Sequence, residues 1–139
     1  MNRWRGGAFS LRHFSEDEFD HPDQMSVRFL RLLDEFRARL GYPFRITDDF
    51  RTKSEMVDLY GQNMEAWPDS SHRYGTGVDG HPVPFNARTR FKARQVIADM
   101  VYNGIWTQPG IGHYDGHLHL DSHEDRPDTR PAEWVGVSK

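Results

Sequence analysis

Apolar residues recur at helical spacing in two segments of the chain. In residues 25–44 they lie three or four positions apart and form one face, which is typical of an amphipathic helix. We expect Gly41 and Pro43 to end this helix. The residues of its apolar face are Met25, Phe29, Leu32, Leu33, Phe36 and Leu40. A capping box, Ser15 with Glu18, predicts a short helix just before it.

The second helical segment is residues 87–103, with Asn86 at the N-cap position and Gly104 at the carboxyl end. A further helix is predicted over residues 53–63. The predicted buried stripe of the 87–103 helix consists of Phe91, Val96, Ile97, Met100 and Val101.

Three segments between and after these helices have strand character. Residues 43–51 alternate apolar and polar positions, residues 77–85 predict a short strand, and residues 110–123 predict a glycine turn followed by a strand. We expect Gly110 and Gly112 to serve that turn and Trp134 to anchor the polar tail. Helices that precede and separate antiparallel-type strands favour an α+β fold, a small antiparallel sheet flanked by helices.

Length and composition indicate one soluble globular domain, residues 1–139, since the chain has no internal repeat and no low-complexity linker. The net charge of −3 and the lack of a basic stripe argue against a nucleic-acid partner. No stretch resembles a membrane span, and the first 14 residues do not resemble a signal peptide, so we expect synthesis in the cytoplasm without membrane association. The chain has no cysteine, so any metal must be bound by His, Asp or Glu.

Residues 117–121, "HLHLD", carry the first chemical signal. In a strand, Leu118 and Leu120 would face the core, while His117, His119 and Asp121 share the other face. Such a polar row is costly unless a cation or hydrogen-bonding group lies opposite, and zinc suits these donors. The alternative is a solvated edge strand that carries polar residues.

Residues 70–80, "SSHRYGTGVDG", carry the second signal. His72 and Asp79 bracket glycines that permit a tight turn close to a metal. Together with His119 they would make three protein ligands, which leaves a fourth position for water, as in catalytic zinc sites.

These motifs resemble a known family. The segment "SSHRYGTGVDG" is similar to the Ser-x-His-x-x-Gly-x-Ala-x-Asp signature of the zinc D-Ala-D-Ala carboxypeptidase and L-alanyl-D-glutamate endopeptidase family, which shares its fold with the hedgehog signalling domain. Gly77 stands in the position usually held by Ala. "FRITDDFRT" resembles the family's arginine segment, and "GIGHYDGHLHLD" its last motif. The resemblance runs in order from about residue 12 to Trp134.

The resemblance implies that His72, Asp79 and His119 bind Zn²⁺. It also implies that Arg51 binds a substrate carboxylate or polarises the scissile carbonyl, and that Ser70 forms a hydrogen bond near the site. Two carboxylates, Asp48 and Asp49, replace the usual Ser and Gly beside Arg51, where they would orient it, partly neutralise it or alter substrate choice.

The general base is left open by the sequence. Many members of the family have Glu or Asp three residues before the last ligand, where this chain has Gly116. Asp115 and His117 are the two main candidates, and His113 is a more distant third. We expect Asp121 to fix a ligand or the strand end. Four other histidines are expected at the surface: His13, His21, His81 and His123.

The resemblance predicts a zinc peptidase that hydrolyses an amide bond in peptidoglycan stem peptides, as a carboxypeptidase or an endopeptidase. The small size, the lack of a signal peptide and the phage-like amino terminus favour a phage or prophage lysis enzyme, or a virion-associated hydrolase, that acts on the cell wall. A cytosolic dipeptidase that acts on D-Ala-D-Ala is a further option. The main alternative is a non-catalytic zinc-binding module of the same fold. A metal-dependent phosphoesterase is a weaker one, since the ligands of a second metal are not evident.

Overall fold

The computed structural model describes residues 11–49, 75–123 and 129–136. Two short 3-10 helices, Glu16–Glu18 and Pro22–Gln24, precede the first α-helix. The remaining elements, in chain order, are α1 (Val27–Leu40), β1 (Phe44–Asp48), β2 (Gly77–Pro82), α2 (Ala87–Tyr102), β3 (Pro109–His113), β4 (Leu118–Ser122) and β5 (Ala132–Val135). The helix predicted over residues 53–63 lies outside the described residues.

The five strands form one mixed sheet in the order β1-β2-β4-β3-β5. The α+β class is therefore confirmed, but a purely antiparallel sheet is wrong. Three of the four strand pairs are antiparallel, whereas β5 pairs parallel with β3. The reason is the strand order. Both β3 and β5 run opposite to β4, and β5 pairs with the free edge of β3 and not with β4, so the β3–β5 pair is parallel.

Helix α1 ends where the sequence predicts, at Gly41, and begins after Ser26, a cap that the sequence analysis did not name. The Ser26 hydroxyl accepts a hydrogen bond from the backbone N–H of Phe29, and Gly41 adopts a left-handed conformation with φ of 75°. The capping box of Ser15 and Glu18 is present at the first 3-10 helix. Of the predicted apolar face, Leu32 is partly buried and the others are buried: Met25, Phe29, Leu33, Phe36 and Leu40.

Helix α2 is capped by Asn86, whose side chain accepts from the backbone N–H of Thr89. Its buried residues include Ala93, Val96, Ile97 and Met100, but Phe91 is 62% exposed, so its assignment to the stripe is wrong. Successive helical residues are rotated by about 100°, which places residue 91 on the face opposite residue 93.

The helices and one face of the sheet share a single hydrophobic cluster. Leu118 and Leu120 lie in it as predicted, both fully buried, and Val78 and Ile111 join them from the neighbouring strands. The other face of β4 therefore carries His119 and Asp121. No helix in the described part of the chain has the length and apolar character needed to cross a membrane.

Gly110 and Gly112 lie within β3 and not in a turn, contrary to the prediction. The turn lies further along, where the backbone N–H of Tyr114 donates to the carbonyl of His117. Both glycines are needed inside the strand because a β-carbon at either position would collide with a side chain of the polar face: Asp121 and Arg130 for Gly110, Trp134 for Gly112.

Candidate metal centre

Asp79 and His119 form the centre of the polar face. They are register partners on the antiparallel strands β2 and β4, which places both side chains on the same side of the sheet. Asp79 Oδ1 lies 3.1 Å from His119 Nδ1, and each side chain is only 13% exposed. Two ligands of one tetrahedral zinc, each at 2.0–2.2 Å from the metal, are roughly 3.3 Å apart. The separation of these two donor atoms therefore fits a shared zinc ion.

The chain leading into Asp79 turns sharply just before β2. Gly75 has a φ of 70°, a left-handed conformation that favours glycine, and its carbonyl accepts a hydrogen bond from the backbone N–H of Ser26. This contact fixes the start of β2 against the N-terminus of α1. Gly75 thus adopts a conformation that glycine allows, whereas residues 70–74 of this segment lie outside the described residues.

The second ring nitrogen of His119 is held by Asp121. Nε2–H donates to Asp121 Oδ2 over 2.7 Å, and this carboxylate is fully buried. A histidine that binds a metal through one nitrogen usually donates its other N–H to a carboxylate or carbonyl, which sets the tautomer and the ring orientation. Asp121 thus leaves Nδ1, the atom beside Asp79, as the nitrogen directed at the candidate site.

Arg130 completes this arrangement from the segment before β5. Its Nε donates to Asp121 Oδ1 and its Nη2 to Asp121 Oδ2, both over 2.8 Å. Such a two-point guanidinium–carboxylate pair is among the strongest polar contacts in proteins. Sequence reasoning did not find Arg130. The available signal was that a buried Asp121 requires a cation, and residues 122–131 contain arginines.

The charges of this network shift two pKa values. Burial lowers the pKa of His119, but hydrogen bonds to Asp121 and Asp79 outweigh it and raise the pKa to about 9. Burial raises the pKa of Asp121, but the hydrogen bonds from Arg130 and His119 outweigh it and hold that pKa far below its ordinary value. Without a metal, His119 is therefore an imidazolium between two carboxylates at neutral pH.

His117 lies at the rim of the same face. Its Nε2 is 3.8 Å from Asp79 Oδ2, and its ring stacks on Tyr114 with centroids 4.6 Å apart and an interplanar angle of 6°. The Tyr114 hydroxyl accepts a hydrogen bond from Trp134 Nε1 over 3.2 Å. Trp134 also lies against His119, with ring centroids 5.5 Å apart. Each of the two histidines thus has one aromatic ring against it, and the parallel stack on Tyr114 restricts the ring plane of His117.

Asp115 occupies a different environment from His117. It is exposed in the turn after β3 and lines a cavity of about 480 Å³ together with Phe85, Arg90 and His113. His113 is the register partner of Leu118 and therefore lies on the helix side of the sheet. Of the candidate bases, His117 lies on the face of Asp79 and His119, whereas Asp115 and His113 line the cavity beside α2.

Three predicted site residues, Arg51, Ser70 and His72, lie outside the described residues. Within residues 11–49, 75–123 and 129–136, no group of three or more His, Asp or Glu side chains is arranged to hold a metal ion. The described part of the predicted triad is thus the pair Asp79 and His119, and its donor types suit zinc.

Three of the histidines predicted at the surface differ in their burial. His13 is exposed, as predicted, but His123 is buried, and its Nε2 lies 3.8 Å from Asp121 Oδ2. Its surface assignment is wrong because the end of β4 is covered in the folded chain. His21 is half-buried and contacts the buried Asp49, whose carboxylate accepts from the His21 backbone N–H over 2.7 Å.

In comparisons with known proteins, no family model, no curated protein and no solved structure matches the chain.

Proposed function

We propose that this protein is a zinc-dependent peptidase that hydrolyses an amide bond in the stem peptides of bacterial peptidoglycan, as a D-Ala-D-Ala-type carboxypeptidase or an endopeptidase. The observation that carries the proposal is the pair of Asp79 and His119, whose facing oxygen and nitrogen are spaced like two ligands of one zinc. The resemblance of three ordered sequence motifs to a peptidase family supplies the substrate class.

In this proposal His72, Asp79 and His119 hold the zinc. A bound zinc ion lowers the pKa of its water to about 7 and polarises the carbonyl that is attacked. Asp79 and His119 are supplied by adjacent strands in fixed register, so their geometry is set by the backbone ladder and not by a loop. Asp121 keeps the Nε2–H of His119 and thereby leaves Nδ1 for the metal.

The proposed general base is His117. Its position near Asp79 supports this role, since a base must reach the proton that it removes. Stacking on Tyr114 holds its ring in one plane, and 28% exposure of its side chain leaves it open to substrate and solvent. Asp115 is less suited, because it lines the cavity on the helix side. Arg51 would bind a stem-peptide carboxylate through its planar fork, and Ser70 would form a hydrogen bond beside the metal.

The test is digestion of purified cell walls by the zinc-loaded protein, with new amino groups and muropeptide masses as readouts. We expect release of amino groups that stops with a chelator and returns with added zinc, and masses that identify the bond cut. Asp79→Asn should abolish release, whereas Asp99→Asn, which changes an exposed carboxylate on α2, should not. A zinc-loaded, folded protein that releases no amino groups would exclude the peptidase.

One observation favours a second function. Gly116 lies three residues before His119, the position at which many members of the family that this chain resembles have Glu or Asp as the base. A non-catalytic zinc-binding module of the same fold is consistent with that residue. The digestion experiment separates the two functions, because such a module would bind zinc in proportion to protein and leave the cell walls intact.

A further inference from the structure

We propose that Arg130 is a positioning residue of the candidate metal centre. It donates two hydrogen bonds to the Asp121 carboxylate. Asp121 in turn accepts a hydrogen bond from the Nε2–H of His119, which orients Nδ1 toward Asp79. The part of this inference that concerns zinc rests on the proposed function. The part that concerns the orientation of His119 does not, because all four side chains are described and in contact.

Direct contacts connect Arg130 to Asp79 through Asp121 and His119. Arg130 binds both oxygens of Asp121 at 2.8 Å, Asp121 binds His119 at 2.7 Å, and His119 Nδ1 lies 3.1 Å from Asp79. A two-point contact fixes the carboxylate plane as well as its position, which a single hydrogen bond would not do. The orientation of the carboxylate in turn fixes the imidazole ring.

The surroundings hold Arg130 in place. Its guanidinium carbon lies 5.3 Å from the centroid of the Trp134 ring, and its side chain is 15% exposed. Gly110 leaves the space that the pair needs, because a β-carbon there would collide with the carboxylate of Asp121 and with Arg130 Nε. Arg130, which lies just before β5, therefore reaches across β3 to Asp121 on β4. All three strands contribute to holding the Asp121 carboxylate in place.

The electrostatics require a permanent cation at this position. A buried carboxylate is stable as an anion only when paired and hydrogen-bonded. If His119 gives its Nδ1 lone pair to a metal ion, its ring is neutral, and Asp121 then depends on the guanidinium for a full positive charge. Arginine supplies that charge at every accessible pH. Lysine would supply the charge without the planar two-point fork.

The experiment compares Arg130→Gln and Arg130→Lys with Arg94→Gln as the matched control. Arg94 Nε also donates to a carboxylate, Glu133, over 2.8 Å, but this pair contacts His113 on the helix side of the sheet. The first readout is the His119 Nε2–H signal in nitrogen–proton correlation spectra of the metal-free protein. Its absence in His119→Gln assigns it to His119, and coupling of its nitrogen to both ring C–H protons assigns it to Nε2. The second is zinc affinity, measured by competition with a chromophoric chelator.

We expect a slowly exchanging Nε2–H signal in the wild type and in Arg94→Gln, and its loss in Arg130→Gln. Zinc affinity should fall in Arg130→Gln, by at most the roughly 10–100-fold that removal of a direct partner of a metal ligand costs, and less in Arg130→Lys. Retention of the signal with unchanged zinc affinity in folded Arg130→Gln would overturn the inference. If Arg130→Gln does not fold, a wild-type signal and affinity in Arg130→Lys would overturn the two-point contact.

The two proposals fail in different ways. If the wild type binds no zinc, the proposed function falls, and the Nε2–H signal by itself decides whether Arg130 orients His119. If the wild type binds zinc and cleaves cell walls while Arg130→Gln matches it in both readouts, the proposed function stands and the role of Arg130 is refuted.

Discussion

The indole ring of Trp134 fills the space in which residue 112 would have a side chain. Gly112 and Trp134 are register partners on the parallel strands β3 and β5, and a β-carbon on Gly112 would lie 2.7–2.9 Å from indole atoms. The same indole packs against His119 and donates to the hydroxyl of Tyr114. A glycine in the middle of a strand thus makes room for a wall of the candidate metal centre.

Gly112→Ala should therefore push Trp134 away from His119. We expect a loss of about 1–3 kcal/mol in the free energy of unfolding, the usual cost of overpacking, measured by urea denaturation. Gly116→Ala is the control, since a β-carbon there meets no heavy atom within 4 Å. Equal stability of the two variants would show that the indole moves without cost.

Asp121→Asn should strongly destabilise the fold. The neutral amide would leave Arg130 and His119 without the anion that both now contact. Breaking a buried ion pair from one side costs about 3–5 kcal/mol, and urea denaturation at neutral pH would measure it. The exposed Asp99→Asn should stay close to the wild type. A small loss in Asp121→Asn would mean that water or other groups replace the carboxylate.

His117→Gln and Asp115→Asn should separate the two main candidates for the base. If the protein is a peptidase, His117→Gln should lower the turnover rate about 10²–10⁴-fold with zinc content unchanged, as expected for loss of a general base. Asp115→Asn should keep most of the activity, because Asp115 lines the cavity on the helix side. The reverse pattern in amino-group release would identify Asp115 as the base.

Glu133 should contribute a small, pH-dependent stability. A hydrogen bond from Arg94 lowers the pKa of Glu133 below its ordinary value of 4.5, with a further contribution from His113. A lowered folded-state pKa stabilises the protein above pH 4.5, and this contribution is lost as pH falls through the folded-state value. Glu133→Gln should therefore be less stable than the wild type at pH 7, by less than about 1 kcal/mol because the pair is exposed.

The stability difference between Glu133→Gln and the wild type should shrink as pH falls below 4.5. It should also shrink in high salt, which screens exposed charges. Thermal denaturation over a pH series would measure it. A difference that grows toward acid pH would contradict the lowered pKa.

Features that depend on neighbouring residues were predictable from the sequence. Gly41 ends α1 and Asn86 begins α2, because caps act within one turn of a helix. The alternation at residues 117–121 correctly placed Leu118 and Leu120 in the core. Phe91 was misassigned although helical rotation of about 100° per residue already places it opposite Met100, nine residues later.

Features that depend on distant residues were decided by the tertiary structure. Strand register places Asp79 opposite His119, 40 residues later, and the strand order brings Arg130 onto Asp121. The tertiary structure also places Asp115 in the cavity beside α2 and His117, two residues later, near Asp79 on the opposite face of the sheet. Side-chain periodicity is a property of the local backbone, so the sequence alone determined which residues share a face. Which faces meet depends on strand pairing and core packing across the whole chain, and only the folded structure determined that.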